Sequence, residues 1–460
     1  MEIAHRSPVR WALAGLSLSV LLSALGTSSA NVALPTLARA FSASFQQVQW
    51  VVLAYLLAIT TLIVSVGRLG DLIGRRRLLL AGITLFTAES VLCGVAPALW
   101  VLVVARAGQG LGAAVMLALT MAFVGETVPK ERTGSAMGLL GTMSAVGTAL
   151  GPSLGGLLIA GPGWQAIFLV NVPLGVLALL LSYRYLPADR EVPKRTGFDH
   201  VGTTLLALTL GAYALAVTIG RGSFGVLNVV LLVVAALGVG LFVRAESRVA
   251  APLIRLSMFR DRALSASLAM SALVSTVMMA TLVVGPFYLA RTLGLGEALV
   301  GLVLSVGPVV TALTGVPAGR VADRLGAQRM TVVGLAAMVV GCVVLSVIPT
   351  SLAGYIAPIV LVTAGYAVFQ TANNTAVMTD VPADRRGVVS GMLNLSRNLG
   401  LVTGASVMGA VFALAASADD VTTASPGAVA AGMRTTFAIA AGLIAVAIAV
   451  GTRARRAPRT

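Results

Sequence analysis

Three short stretches hold residues whose types and spacing could handle charge inside a hydrophobic environment. In RAGQGLGAA (Arg106–Ala114), residues Arg106, Gln109, Gly110 and Ala113 recur at three- and four-residue spacing, so a helix would place all four on one face. A guanidinium beside a carboxamide, flanked by small residues, suits the wall of a polar cavity. It equally suits an arginine satisfied by backbone carbonyls. In TLFTAESVLCG (Thr84–Gly94), Glu89 sits within an otherwise apolar run. Inserting a charged carboxylate at mid-bilayer costs about 2.5–3.5 kcal/mol, so Glu89 should hold a proton or a partner. It is then either a proton carrier or a neutral acid bonded to a neighbouring helix. In GRLGDLIGRRR (Gly67–Arg77), Asp71 stands among glycines and ahead of Arg75 and Arg76. Such an acid can pair with the arginines or with a helix terminus, making a charged latch with a closed and an open state. A plain topogenic basic loop is the other reading.

The elements that must position these groups follow from composition. The 460 residues are 58% hydrophobic and only 10% charged, with mean hydropathy +0.97. Soluble domains average about 25% charged residues, so this is a polytopic membrane protein. Spanning a bilayer takes about 20 mainly apolar residues. That ruler gives runs near 11–33, 47–68, 78–98, 100–122, 134–158, 165–185, 200–220, 224–243, 263–286, 298–318, 331–349, 352–377, 388–414 and 428–451. The count of fourteen is even, which puts both termini on one side. The first run, led by Arg6 and Arg10 and followed by SSAN, also resembles a cleavable leader. Losing it would leave an odd count and invert the charge pattern downstream.

The net charge of +16 has two explanations, nucleic-acid binding or membrane topology. With the N-terminus in the cytoplasm, 26 of the 32 Lys and Arg residues fall in cytoplasmic segments. Only Arg39, Arg221, Arg291 and Arg434 fall outside, while Arg106 and Arg397 lie within spans. Topology therefore accounts for the charge, and no nucleic-acid partner is expected. Cys93 and Cys342 lie apart in apolar runs, and His5 and His200 form no ligand pair, so neither metal nor cofactor is implied. No phosphate-cradling GxxxxGK[ST] loop occurs. An enzyme would need a convergent nucleophile and base, which this census does not supply.

The chain also repeats itself. GRVADRLGAQR (Gly319–Arg329) matches GRLGDLIGRRR at an offset of 252 residues, pairing Gly319, Asp323, Gly326 and Arg329 with Gly67, Asp71, Gly74 and the arginines after it. VPADRRGVVSG (Val381–Gly391) matches VPKERTGSAMG (Val128–Gly138) at 253. The expected architecture is an all-α membrane protein of 14 transmembrane helices: two pseudo-symmetric six-helix bundles, 1–185 and 263–460, with two inserted helices and their linkers in 186–262. Repeated halves of this kind suit a transporter that rocks about a central site.

At these residues the sequence resembles the major facilitator superfamily, and within it the fourteen-span drug:proton antiporter branch. GRLGDLIGRRR is similar to the signature loop between the second and third helices, and RAGQGLGAA to the R-x-x-Q-G-x-G motif of the fourth. GTALGPSLGG (Gly147–Gly156) resembles the antiporter motif of the fifth, with Gly147, Gly151, Pro152, Gly155 and Gly156 in place. WQAIFLVNVP (Trp164–Pro173), with Gln165 where arginine is usual, and FDHVG (Phe198–Gly202) resemble segments of the fourteen-span branch. LGTSSANVALP (Leu25–Pro35) matches the branch's first-helix segment from Asn31 to Pro35, but Gly26 stands where an acid is usual.

The resemblance implies proton-driven export of small amphipathic compounds, such as drugs, antibiotics or metabolites, by alternating access in the plasma membrane. Both termini are expected in the cytoplasm and the chain is expected to act as a monomer. With Gly26 in the acid's place, the candidates for proton coupling are Glu89, Asp71 and Arg106. The matching helices offer a substrate cavity lined by Asn31, Gln109, Tyr366, Gln370, Asn373 and Asn374, with Met270, Met278 and Met279 as adaptable apolar contacts. Uptake or uniport by the same fold, and a non-transporting scaffold, are the competing readings.

Overall fold

The computed structural model describes residues 2–43, 45–189, 199–218, 225–249, 252–347, 351–379, 381–382, 385–416 and 425–456. Arg190, Lys194, Arg195, Phe198 and Arg221 lie outside the described residues, and so does the side chain of Pro152. Every element of regular structure among the described residues is helical. Hydrocarbon offers the backbone no hydrogen-bond partner, so each apolar run must close its own N–H and C=O groups, and the helix does this locally.

Fourteen helices are long and apolar enough to cross a membrane: α1 (Val9–Asn31), α2 (Gln47–Ile73), α3 (Arg75–Gly94), α4 (Leu99–Thr127), α5 (Lys130–Ala160), α6 (Ala166–Tyr185), α7 (His200–Val217), α8 (Val226–Glu246), α9 (Arg262–Thr292), α10 (Leu299–Leu325), α11 (Ala327–Val347), α12 (Leu352–Met378), α13 (Arg386–Ala415) and α14 (Pro426–Ala454). The chain separates into two compact units. Unit 1 is Met1–Gly211, Gly238–Arg255 and Met378–Leu395; unit 2 is Ala212–Leu237, Leu256–Val377 and Ser396–Thr460.

Within unit 1, small residues bring helices to backbone contact. A Cβ added at Gly112 of α4 would lie 2.8 Å from both the Gly82 carbonyl oxygen and the Phe86 amide nitrogen of α3. A Cβ on Gly147 of α5 would lie 2.6 Å from the Leu21 carbonyl of α1, and the Ser28 hydroxyl donates to the Gly147 carbonyl at 3.0 Å. Bilayer lipid is as apolar as leucine, so this close packing, rather than escape from water, holds the helices together. Four further hydroxyls of α1 are satisfied within the helix, Ser19, Ser23, Thr27 and Ser29 each donating to the carbonyl four residues back at 2.8–3.1 Å, whereas the Ser17 hydroxyl is buried without a partner among the described residues.

Unit 2 contains corresponding crossings: the α11–α12 contact follows the α3–α4 one by 252 or 253 residues, and the α9–α13 contact follows the α1–α5 one by 248 to 253 residues. A Cβ at Gly365 of α12 would lie 2.7 Å from the Gly334 carbonyl and 3.0 Å from the Met338 amide of α11, repeating the Gly112–Gly82–Phe86 contact. Gly400 of α13 packs on the Ala272 carbonyl of α9, and the Thr276 hydroxyl donates to the Gly400 carbonyl at 3.1 Å, repeating the Ser28–Gly147 contact. The repeat seen in two loop motifs is therefore also a repeat of helix packing. Two glycines end helices in matching places: Gly74 before α3 at φ +105° and Gly326 before α11 at φ +91°, a backbone region that strains any other residue.

Gly112→Val and Gly365→Val should each lower stability by about 1–3 kcal/mol through overpacking. Gly156→Val is the control, because a Cβ there meets nothing within 4 Å. Unfolding midpoints of the purified protein in detergent would show the first two below wild type and the third near it. Equal midpoints for all three would refute the packing assignment.

Candidate functional site

The Arg106 side chain is fully buried in unit 1. Its Nε donates to the Val51 carbonyl of α2 at 2.9 Å, and its Nη1 donates to the Gln109 carboxamide oxygen at 2.5 Å. Gln109 in turn donates to the Ser90 hydroxyl of α3 at 2.7 Å, and Ser90 to the Phe86 carbonyl at 2.6 Å. The guanidinium lies 4.1 Å from the Tyr55 ring centroid and 5.9 Å from that of Phe168. Among the described residues no carboxylate pairs with it, and Nη2 has no hydrogen-bond partner. Two aromatic faces therefore stand where a counter-anion would be expected, each worth up to about 2 kcal/mol when desolvated. The sequence spacing correctly joined Arg106 to Gln109. One N–H of the arginine is spent on a backbone carbonyl, as the second sequence reading expected, and another on the polar chain through Gln109 and Ser90. Tyr55, Phe168, Val51 and Ser90 come from other helices and could not be read from that spacing.

Gly26 explains how the structure fills the place of the usual first-helix acid. A Cβ there would lie 3.2 Å from Tyr55 Oη and 3.5 Å from the tip of Phe86. Tyr55 donates to the Ser23 carbonyl at 2.8 Å, so its ring occupies the space in front of Gly26 while shielding Arg106.

Glu89 is the neighbour of Ser90 on α3 but points elsewhere. It is half-buried and packs against Gly108 of α4, where an added Cβ would lie 2.7 Å from Glu89 Oε1. No hydrogen bond or ion pair to Glu89 occurs among the described residues. It is near Arg106 in sequence and fold, yet not bonded to it.

Asp71, by contrast, is fully committed. Its Oδ1 accepts from Arg75 Nε at 2.9 Å, Arg75 Nη2 at 2.6 Å and the Gly387 amide at 3.0 Å, while Oδ2 accepts from the Val388 amide at 3.1 Å. The carboxylate thus caps the N-terminus of α13, where unpaired amides and the helix dipole favour an anion. Arg75 also pairs with Glu126 at the end of α4. Gly67 and Gly387 touch backbone to backbone beside the latch. All of these residues lie in unit 1. A second acid, Asp189, accepts from the Arg76 and Arg77 amides at 2.7 and 3.1 Å and caps α3, which the glycine at position 74 leaves without a side-chain cap of its own. The Arg76 guanidinium covers the Tyr183 ring at 5.4 Å and donates to the Tyr183 carbonyl. Neither Asp189 nor Glu126 lies in a motif that marks it in the sequence. In the second copy of the motif Gly319 is buried, Asp323 half-buried and Arg329 exposed.

Of the antiporter motif, Gly147 and Gly151 press on α1 at Leu21 and Ser28, Gly155 makes ordinary contact with Ser29, and Gly156 is open. The remaining cavity candidates divide between the units. Asn31 is exposed in unit 1 and donates back to the Thr27 carbonyl at 3.1 Å. Tyr366, Gln370, Asn373 and Asn374 share one face of α12 in unit 2, where Asn373 donates to the Ser267 carbonyl of α9 at 3.3 Å. In the same unit Arg397 Nε is buried without a partner among the described residues.

Among the described residues, fourteen apolar helices, duplicated crossings and a polar set inside the spans define a polytopic membrane protein. A profile of the Major Facilitator Superfamily matches residues 16–405, and the chain belongs to that family. It is 35% identical over 387 residues to multidrug resistance protein Stp of Mycobacterium tuberculosis, covering 83% of this chain and 72% of that one. It is 28% identical over 400 residues to the riboflavin transporter RibZ of Clostridioides difficile, covering 86% and 87%. The fold is similar to the crystal structure of the human organic anion transporter MFSD10 (TETRAN), with TM-score 0.68 and 16% identity over 96% of this chain and 99% of that one.

Replacing Asp71 by Asn should break the latch and leave Arg75 with only part of its partners. Removing one member of a buried charge pair costs about 3–5 kcal/mol. Thermal unfolding should show that loss, and amide exchange should rise at Gly387 and Val388 first. Full protection of those two amides in the variant would contradict the capping role.

Proposed function

We propose that the chain exports small amphipathic compounds from the cell in exchange for protons, by alternating access. It does so as a monomer in the plasma membrane, with both termini in the cytoplasm. The observation that carries the export reading is the 35% identity to a multidrug resistance protein over 83% of the chain. The excess of basic residues on one set of connections supports the orientation.

The residues divide the work as follows. Glu89 carries the coupled proton, supported by its lack of a hydrogen-bonded partner: it can gain or lose a proton without dismantling a structural contact. Arg106 sets the electrostatic field beside it through the Gln109–Ser90 chain. Asp71 and Arg75 form a gate latch, with Asp323 and Arg329 in the corresponding place of the second repeat. The Gly147–Gly151 crossing of α1 and α5 sets how the helices move past one another. Asn31, Gln109, Tyr366, Gln370, Asn373 and Asn374 supply neutral polar contacts for substrate, and the bilayer is the remaining partner. A second reading, transport of one metabolite, is favoured by the 28% identity to a riboflavin transporter.

Expression in an efflux-deficient host should lower accumulation of several amphipathic compounds, and an uncoupler should abolish the difference. In inverted vesicles Glu89→Gln should reduce gradient-driven transport by about 100-fold at unchanged expression, the scale of losing a positioned proton-transfer group. Unchanged coupling would remove Glu89 from the mechanism. Dependence on a single metabolite would favour the second reading.

A further inference from the structure

The inserted helices α7 and α8 carry a pair of acids that the transport reading does not use. Asp199 opens α7 and Glu246 ends α8, both in unit 1. They are 7% and 4% exposed. One oxygen of each is spent on the backbone: Asp199 Oδ1 accepts from the Gly202 amide at 2.8 Å, and Glu246 Oε2 from the Ile254 amide at 3.2 Å. The other oxygens, Asp199 Oδ2 and Glu246 Oε1, are buried and accept from no N–H or O–H donor. They meet over Gly202, where an added Cβ would collide with both.

Two buried carboxylates in contact cannot both stay ionised, because desolvation and mutual repulsion favour keeping one proton between them. Among the described residues the only charged side chain acting on Glu246 is Asp199. The other charged or titratable groups of these segments among the described residues, His200, Arg244, Arg248 and Arg255, are exposed. On α2, which touches α7 through Thr61 and Gly211, the nearest ionisable residues along the chain are Arg68 and Asp71, and Asp71 is held by Arg75 and α13.

We propose that Asp199 and Glu246 form a proton-binding site that fastens the segment 252–255 of the following connection to the ends of α7 and α8. With the proton in place, one carboxyl donates to the other and Glu246 holds the Ile254 amide. When the proton leaves, two facing anions push apart and the connection is released. On the proposed orientation this end faces the cytoplasm, so the site reads cytoplasmic pH, whereas Glu89 lies within a different span.

The sign follows from proton counting. Between the ordinary carboxylate range and the titration of the pair, the fastened form holds one proton more than the released form. Its stability therefore falls as pH rises, by about tenfold per pH unit, and levels off once the pair has lost its proton. Amide exchange at Leu253 and Ile254, corrected for its intrinsic pH dependence, reads this directly in the full-length protein in lipid nanodiscs. Wild type should lose protection with that slope. Glu246→Gln and Asp199→Asn replace the shared proton by a permanent N–H donor, so both should keep low-pH protection throughout. The infrared band of a protonated carboxyl that disappears with rising pH in wild type should be missing in both variants. Flat protection in wild type, or the same slope in both variants, would overturn the proposal. No transport is measured, so failure of the export reading would leave this outcome untouched, and the reverse holds too.

Discussion

Everything in this structure depends on how closely two helix backbones can approach when no water drives them together. Lipid tails solvate leucine as well as another helix does, so apolar side chains alone give little reason to associate. Dispersion and carbonyl contacts at short range must supply it, and only residues without bulk permit that range. Gly82 against Gly112, and Gly334 against Gly365, meet this requirement in the two halves with the same geometry. The polar groups of the spans then occupy whatever room the crossings leave: Gln109 reaches Ser90 because α3 and α4 already touch one helical turn away.

The charged groups obey a related constraint, in which every ion in the membrane needs compensation near at hand. Arg106 receives two ring faces, a carbonyl and a carboxamide. Asp71 receives an arginine and two helix-terminal amides. The first arrangement leaves a cation without an anion, which keeps a fixed positive potential inside unit 1. The second is neutralised on site. That difference is why one is assigned to coupling and the other to gating.

Much of the fold was legible beforehand. Hydropathy gave the fourteen spans because backbone satisfaction leaves helices as the solution for such runs, and the two loop motifs exposed the duplication. The Arg106–Gln109 bond was legible because it lies within one helix, where spacing determines contact. What spacing could not show was any partner from another helix: Tyr55 and Phe168 around the guanidinium, Asp189 on α3, or the union of Asp199 with Glu246. Nothing in a linear sequence distinguishes a solvated carboxylate from one folded inward, and the FDHVG segment that holds Asp199 does not name its partner. Gly26 was visible as an anomaly, yet only the position of Tyr55 shows that the gap is occupied.

The hydroxyls of α1 have a tribological consequence. Because Ser19, Ser23, Thr27 and Ser29 bond to their own helix, they bring no adhesive to the surfaces on which α1 lies. Of the hydroxyls described on α1, Ser28 is the one seen to donate across to α5, at the Gly147 carbonyl. The seam between these helices therefore resembles a dry bearing with a single catch: sliding along it breaks one bond and otherwise trades like contacts for like.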